Sequence, residues 1–234
     1  MQMKIEEMLP LLRRTFNWSG FRVFISSFIS MKMASTLNFL SLNVGTSSSL
    51  AGVATLIESE NIDIVFLQEV RVSVDHIEYL LRGFKTVANI DSENSSSPGV
   101  AIAWRQNLPV NNVCNLVSCW LQVASIGSLN LMNVYAPSGS SRKGERSSYF
   151  TEGIFHFMQL YSNGSWLLGG DFNSVLGRLD VENGIGCEQK KSSVLQDVVS
   201  SAHLIDVFRH MYPLKQKFTF YRPNSAASRL EDYM

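Results

Sequence analysis

Apolar and polar positions alternate along residues 37–44 (LNFLSLNV) and the apolar ones then give out, which predicts a β-strand ending near Asn43. Residues 47–61 open with serines and carry Leu50, Val53, Ala54 and Ile57 at helical spacing. IDIVFLQEV (62–70) is a near-continuous apolar run, the mark of a strand covered on both faces. The pattern then predicts a helix over 73–84 and strands over 99–104, within 113–124 and over 128–138. A helix over 147–160, a strand over 165–174, a helix over 192–203 and a late strand at 218–222 complete the series. Strands in mixed order with helices between them predict two packed sheets with outer helices. Neither an internal repeat nor a linker interrupts residues 36–234, which read as one domain.

Residues 1–35 differ. FRVFISSFIS (21–30) offers a short strand or helix, but no alternation connects it to the strand at 37–44. Glu6 and Glu7 argue against a transit peptide, and no run reaches the ~18 apolar residues of a membrane span. With a second Met at position 33 just ahead of the first clear strand, residues 1–35 read as a poorly ordered extension.

Composition sharpens this picture in two ways. The 20 Lys+Arg balance 20 Asp+Glu, so any binding to a polyanion must come from a local patch. The three cysteines, Cys114, Cys119 and Cys187, form no CxxC and read as ordinary thiols of a reducing compartment.

The strand ends carry the chemistry. One strand ends on Asn43, the next on Gln68-Glu69, a later one at Asn133-Val134-Tyr135, and another at Gly169-Gly170-Asp171-Phe172-Asn173. Ligands in layered folds gather where strand ends meet. Two acids, amides and a tyrosine collected there make an oxygen-rich pocket without His or Cys, which suits Mg²⁺ or Mn²⁺. The paired glycines let the backbone approach that site closely.

SLNVG, FLQEV, NVYAPS, GGDFN and the late FTF…SRL stand in an order and spacing that resembles the endonuclease/exonuclease/phosphatase superfamily. Within it, residues 37–232 look like the apurinic-endonuclease-like domain of non-LTR (LINE-type) retrotransposon proteins. The resemblance implies a four-layered α/β sandwich of two mixed sheets flanked by helices (deoxyribonuclease I-like). It implies Glu69 as the main metal carboxylate, assisted by Asn43, with Asp171 and Asn173 also in the metal site. Tyr135 would contact the scissile phosphate. Asp171 would orient or deprotonate the attacking water, or protonate the leaving oxygen, and Asn173 would hold the phosphate. The reaction implied is in-line attack of water on a phosphodiester, assisted by Mg²⁺ or Mn²⁺.

The pattern departs from the family at its end. SRL (228–230) is followed by Glu231 and Asp232, either of which could stand for the family's C-terminal aspartate. No Ser-Asp-His block comes after them, so a last strand is expected to be missing and activity to be impaired. Basic residues point to DNA as partner: Arg142, Lys143 and Arg146 after Tyr135, and Lys215, Lys217, Arg222 and Arg229 in an acid-free, aromatic-rich stretch. The expectation is an intracellular, nuclear, monomeric DNA endonuclease, nicking duplex DNA or cutting at abasic sites, without a membrane association. Two alternatives are a catalytically silent remnant of a mobile element and a phosphodiesterase or phosphatase on a small molecule or lipid.

Overall fold

The computed structural model describes residues 16–18, 21–23, 27–32, 36–45, 47–91, 97–117, 119–161, 164–221 and 226–234. Strands β1 (Phe16–Trp18) and β2 (Phe21–Val23) pair as an antiparallel ribbon. Strands β3 (Ser27–Lys32), β4 (Thr36–Asn43), β5 (Ile64–Val70), β6 (Phe84–Asn89) and β7 (Gly99–Arg105) form a sheet in the order β3-β4-β5-β7-β6. Strands β8 (Val110–Asn115), β9 (Leu121–Ile126), β10 (Leu129–Tyr135), β11 (Ser165–Asp171) and β12 (Glu231–Tyr233) form the other, in the order β12-β11-β10-β9-β8. Each sheet holds one parallel pair, β4 with β5 and β10 with β11, and its remaining neighbours run antiparallel.

Period-two alternation explains why both faces of the central strands are apolar. On the outer face of the first sheet, Leu40, Leu42, Val65 and Leu67 pack under helices α1 (Ser47–Ser59) and α2 (Val74–Leu80). Between the sheets, Phe39, Ile64, Phe66 and Trp104 meet Leu129, Leu131 and Leu167. On the far side of the second sheet, Met132, Val134 and Leu168 pack against a helical stretch. That stretch is α3 (Lys143–Ser148), a π-helical turn (Tyr149–Phe155) and α4 (His156–Leu160) in succession. Three short helices follow: α5 (Cys187–Lys190), α6 (Ser193–Ser201) and α7 (Val207–Met211). Side-chain oxygens start three of the helices: Ser73, Ser192 and Asp206 accept the free N–H of His76, Leu195 and Arg209. The result is a four-layered α/β sandwich of two mixed sheets between helices.

The structure departs from the sequence expectations at several places. Ser27–Lys32, read as part of an extension, pairs with β4 as β3, a sheet edge. The rest of that reading falls mostly on residues outside the described set. β6 does not appear among the expected strands, because Phe84–Asn89 has too short an alternation to stand out. Helices α5 and α7 and strand β12 are likewise absent from the expected series. The late strand at 218–222 does not form: Phe220 makes an isolated bridge to Ser228, and Arg222 lies outside the described residues.

Candidate active site

On each central strand the inward-facing positions begin apolar and end polar. β4 runs Leu37, Phe39, Ser41, Asn43, and β5 runs Ile64, Phe66, Gln68. β10 runs Leu129, Leu131, Asn133, Tyr135, and β11 runs Leu167, Gly169, Asp171. The core between the sheets therefore turns polar where these four strands end, and the expected site residues meet there.

Asn43 Nδ2 donates to Glu69 Oε1 at 3.0 Å and to Asp171 Oδ2 at 3.3 Å. Tyr135 Oη donates to the same Glu69 oxygen at 3.1 Å. Asp171 Oδ1 accepts the Asn173 N–H at 2.9 Å, and Asn173 Nδ2 donates to the Ala136 carbonyl at 2.8 Å. Asn43, Glu69, Tyr135, Asp171 and Asn173 thus form one connected cluster, with Tyr135 and Asp171 buried and the other three half-buried.

Strict alternation would send Glu69 to the outer face with Val65 and Leu67. A β-bulge between Gln68 and Val70 intervenes, and Glu69 sits at φ +56°, a conformation L-residues rarely adopt. Asn173, at φ +46°, shares that conformation, which amides tolerate. The two glycines serve packing between neighbours. A Cβ on Gly169 would lie 2.5 Å from Tyr233 Cε1 and 2.7 Å from Phe66 Cδ2. One on Gly170, at φ +145°, would collide with the Val134 carbonyl.

Burial pushes the Tyr135 phenol well above its usual value, and the charges of Glu69 and Asp171 push it the same way. Tyr135 is therefore a neutral hydrogen-bond donor. Arg71, exposed two residues beyond Glu69, acts on it in the opposite sense and places a cation beside the cluster. Sequence reasoning misses Arg71, though its place after FLQEV is a usable signal. It counts Arg146 among the basic residues after Tyr135, but the residue is buried and bonded to Ser174 Oγ at 3.1 Å and to the carbonyls of Pro137 and Gly139 at 2.6 and 3.1 Å. Arg146 thereby ties the segment after β10 to the segment after β11.

The donor set fits a hard cation. Two carboxylates and the amide and phenol oxygens offer oxygen ligands, without a nitrogen or sulfur ligand from His or Cys. Among the described residues no group of three or more His, Cys, Asp or Glu could hold a metal. A site with two carboxylates suits an ion that keeps several waters.

The remaining site candidates lie elsewhere. Asp232 faces Gly170 across the β11–β12 ladder and is ion-paired with Arg229, so it does not join the cluster. Glu231 is the ladder partner of Asp171, which places its backbone beside the site. Arg229 is not a surface cation. Its side chain is 4% exposed and bonds Asp180, Asp206 and Asp232, while Arg209 also bonds Asp180 at 2.6 Å. Burial pushes the Asp180 carboxyl up, but Arg229 and Arg209 outweigh it and hold the group below its usual range. For Asp232 burial wins and its carboxyl is pushed well up, as expected where three carboxyls share two guanidiniums. Of the surface candidates, Arg142 lies over the Trp120 ring at 4.3 Å and grips Glu145 with two bonds of 2.6 and 2.7 Å. Lys143 is exposed, Lys215 is exposed above the Tyr212 ring, and Lys217 is half-buried. His76, His156, His203 and His210 are all exposed on helices or the turn between α6 and α7.

Comparison with known proteins agrees with the fold. A 93-residue stretch is 34% identical to the Transposon TX1 uncharacterized 149 kDa protein of Xenopus laevis. It covers 40% of this chain and 7% of that protein, so the chain spans a small fraction of its relative's length. The fold is similar to that of an AP endonuclease from Archaeoglobus fulgidus, at TM-score 0.70 and 19% identity over 84% of this chain and 85% of that one. AP endonuclease LMAP from Leishmania major superposes at TM-score 0.69 and 16% identity, over 98% of this chain and 84% of that one. The 3'-5' exonuclease NExo from Neisseria meningitidis gives 0.68 and 20%, over 83% and 85%. Residues 40–231 match the family described as Endonuclease/Exonuclease/phosphatase, and with the strand-end cluster lying inside that span, the chain belongs to this family.

Proposed function

We propose that the protein is a metal-dependent phosphodiesterase that cleaves the DNA backbone by hydrolysis. The observation that carries this reading is the meeting of Glu69 and Asp171 through Asn43, with the Tyr135 hydroxyl on Glu69. Glu69 and Asn43 would hold Mg²⁺ or Mn²⁺, which supplies positive charge to offset that on the phosphate oxygens. Asp171, fixed by Asn43 and the Asn173 N–H, orients the attacking water and takes its proton. Tyr135, kept neutral, turns its O–H from Glu69 to a phosphate oxygen when substrate is bound. Asn173 spends one amide proton on Ala136, and its second donates to the phosphate.

DNA is preferred as substrate on three grounds: Arg71, Lys143 and Lys215 lie exposed, the relatives of like fold are described as AP endonucleases, and one sequence relative is a transposon protein. A nuclear location belongs to the same proposal. The test is nicking of supercoiled plasmid in Mg²⁺ beside turnover of inositol phosphates, with Glu69→Gln as control. Metal-dependent nicking lost in the variant supports the reading. Turnover of the small phosphates without nicking would replace DNA by a small-molecule substrate.

A further inference from the structure

The cluster straddles two sheets: Asn43 and Glu69 come from one, Tyr135 and Asp171 from the other. Apolar side chains between facing sheets hold them about 10 Å apart. Their attraction is non-directional, so it sets the spacing but leaves the relative slide weakly specified. Hydrogen bonds are directional, and the inter-sheet core contains a set of them just beneath the site.

Gln68 Nε2 donates to Asn133 Oδ1 at 2.7 Å, across the sheets. Asn133 Nδ2 donates to the carbonyls of Leu67 at 3.1 Å and Ala101 at 2.9 Å, on β5 and β7. Gln68 also pairs with Ser41 of β4, its Nε2 donating to Ser41 Oγ at 3.2 Å. Ser41, Gln68 and Asn133 are all 0% exposed. Asn133 thus spends both functions of its amide on the opposite sheet and reaches strands β5 and β7. Gln68 is the residue before the bulged Glu69, and Asn133 stands two positions before Tyr135 on the same face.

We infer that Gln68 and Asn133 are positioning residues. Their bridge fixes the offset of β10 against β5, so that Glu69 comes within hydrogen-bond reach of Tyr135 and Asn43 reaches Asp171. The catalytic consequence rests on the hydrolase reading above, whereas the geometric claim does not. Buried polar side chains at this place are otherwise a poor choice for stability, since a leucine pair would fill the same volume without amides to satisfy.

The test is the double variant Gln68→Leu/Asn133→Leu, which removes both partners together and leaves neither amide orphaned. Its melting temperature should stay within about 5 °C of the parent. In its crystal structure the Tyr135–Glu69 bond should be open, and plasmid nicking should lose about 10²-fold in kcat with KM little changed. The exchanged pair Gln68→Asn/Asn133→Gln, which keeps the summed side-chain length, should recover part of that loss. Persistence of the Tyr135–Glu69 and Asn43–Asp171 contacts in the double-leucine protein would overturn the inference. So would full kcat. If the parent does not nick in Mg²⁺, the hydrolase reading fails, and the crystallographic comparison alone decides the positioning claim. Should the double-leucine protein not fold, Gln68→Met/Asn133→Ala, which removes the same bonds with less bulk, offers the same geometric comparison.

Discussion

Glu69 and Tyr135 stand on different sheets, 66 positions apart in sequence, and share a hydrogen bond of 3.1 Å between the phenol and Oε1. The bond depends on a backbone irregularity in one sheet and on the end of a regular strand in the other. It also keeps the phenol protonated, because burial and two nearby carboxylates all disfavour the phenolate.

That protonation has a consequence for alkaline stability. Tyr135 has a folded-state pKa above the usual phenol value of about 10, and the fully buried Tyr149 is pushed up by burial as well. Groups raised on folding contribute stability that is fully present below their unfolded pKa and is lost as pH rises beyond it. Thermal stability should therefore fall from about pH 10 upward, and less steeply in Tyr135→Phe and Tyr149→Phe. Melting temperatures from pH 8 to about 11 check this, and equal slopes in parent and variants would refute it. Below about pH 9, nicking by the parent should show no inflection from the Tyr135 phenol.

Gly170→Ala should be among the most damaging single substitutions outside the cluster. The new methyl would collide with the Val134 carbonyl, and φ +145° is unfavourable to any L-residue. Backbone strain and overpacking together should cost about 3 kcal/mol or more, read from urea unfolding. A variant as stable as the parent would show that β10 and β11 separate easily.

Arg229→Met should act on the fold. Removing the buried guanidinium leaves Asp180 with Arg209 and takes their cation from Asp206 and Asp232, and breaking a buried ionic group from one side typically costs about 3–5 kcal/mol. Denaturant unfolding measures the loss. Any DNA affinity of the folded fraction, and its salt slope, should be unchanged. The same cluster sets an acid limb. Asp180, depressed on folding, contributes stability that is present above about pH 4 and is lost as pH falls. Asp180→Asn should flatten that limb in melts between about pH 5 and 3.

Reversing Lys143 and Lys215 to Glu should weaken DNA association and reduce the salt slope by about one unit per lost phosphate contact. Fluorescence anisotropy across a salt series reads both. An unchanged slope would remove these lysines from the interface. Arg142, already gripped by Glu145 with two bonds, should contribute less than either lysine.

Much of this was legible along the chain. The alternation in LNFLSLNV and the apolar run in IDIVFLQEV determined strands with two buried faces, and hence helices on both sides of a paired-sheet core. The same alternation places Asn43, Asn133, Tyr135 and Asp171 on inward faces at strand ends, because side chains two apart share a face. What tertiary structure alone decided is of another kind. Glu69 lies on the wrong face by counting, and only the bulge at Gln68 and Val70, a property of pairing with β7, turns it into the site. Arg229 and Lys215 read alike in a basic stretch, yet one is enclosed by three aspartates, two of them from distant segments, and the other is exposed. FTFYR has the composition of a strand, but its described residues 218–221 do not extend either sheet's ladder. Local pattern encodes which face of an element is apolar. Register, bulges and the partners of a buried charge depend on residues far apart in sequence, and those are set only when the sheets pack.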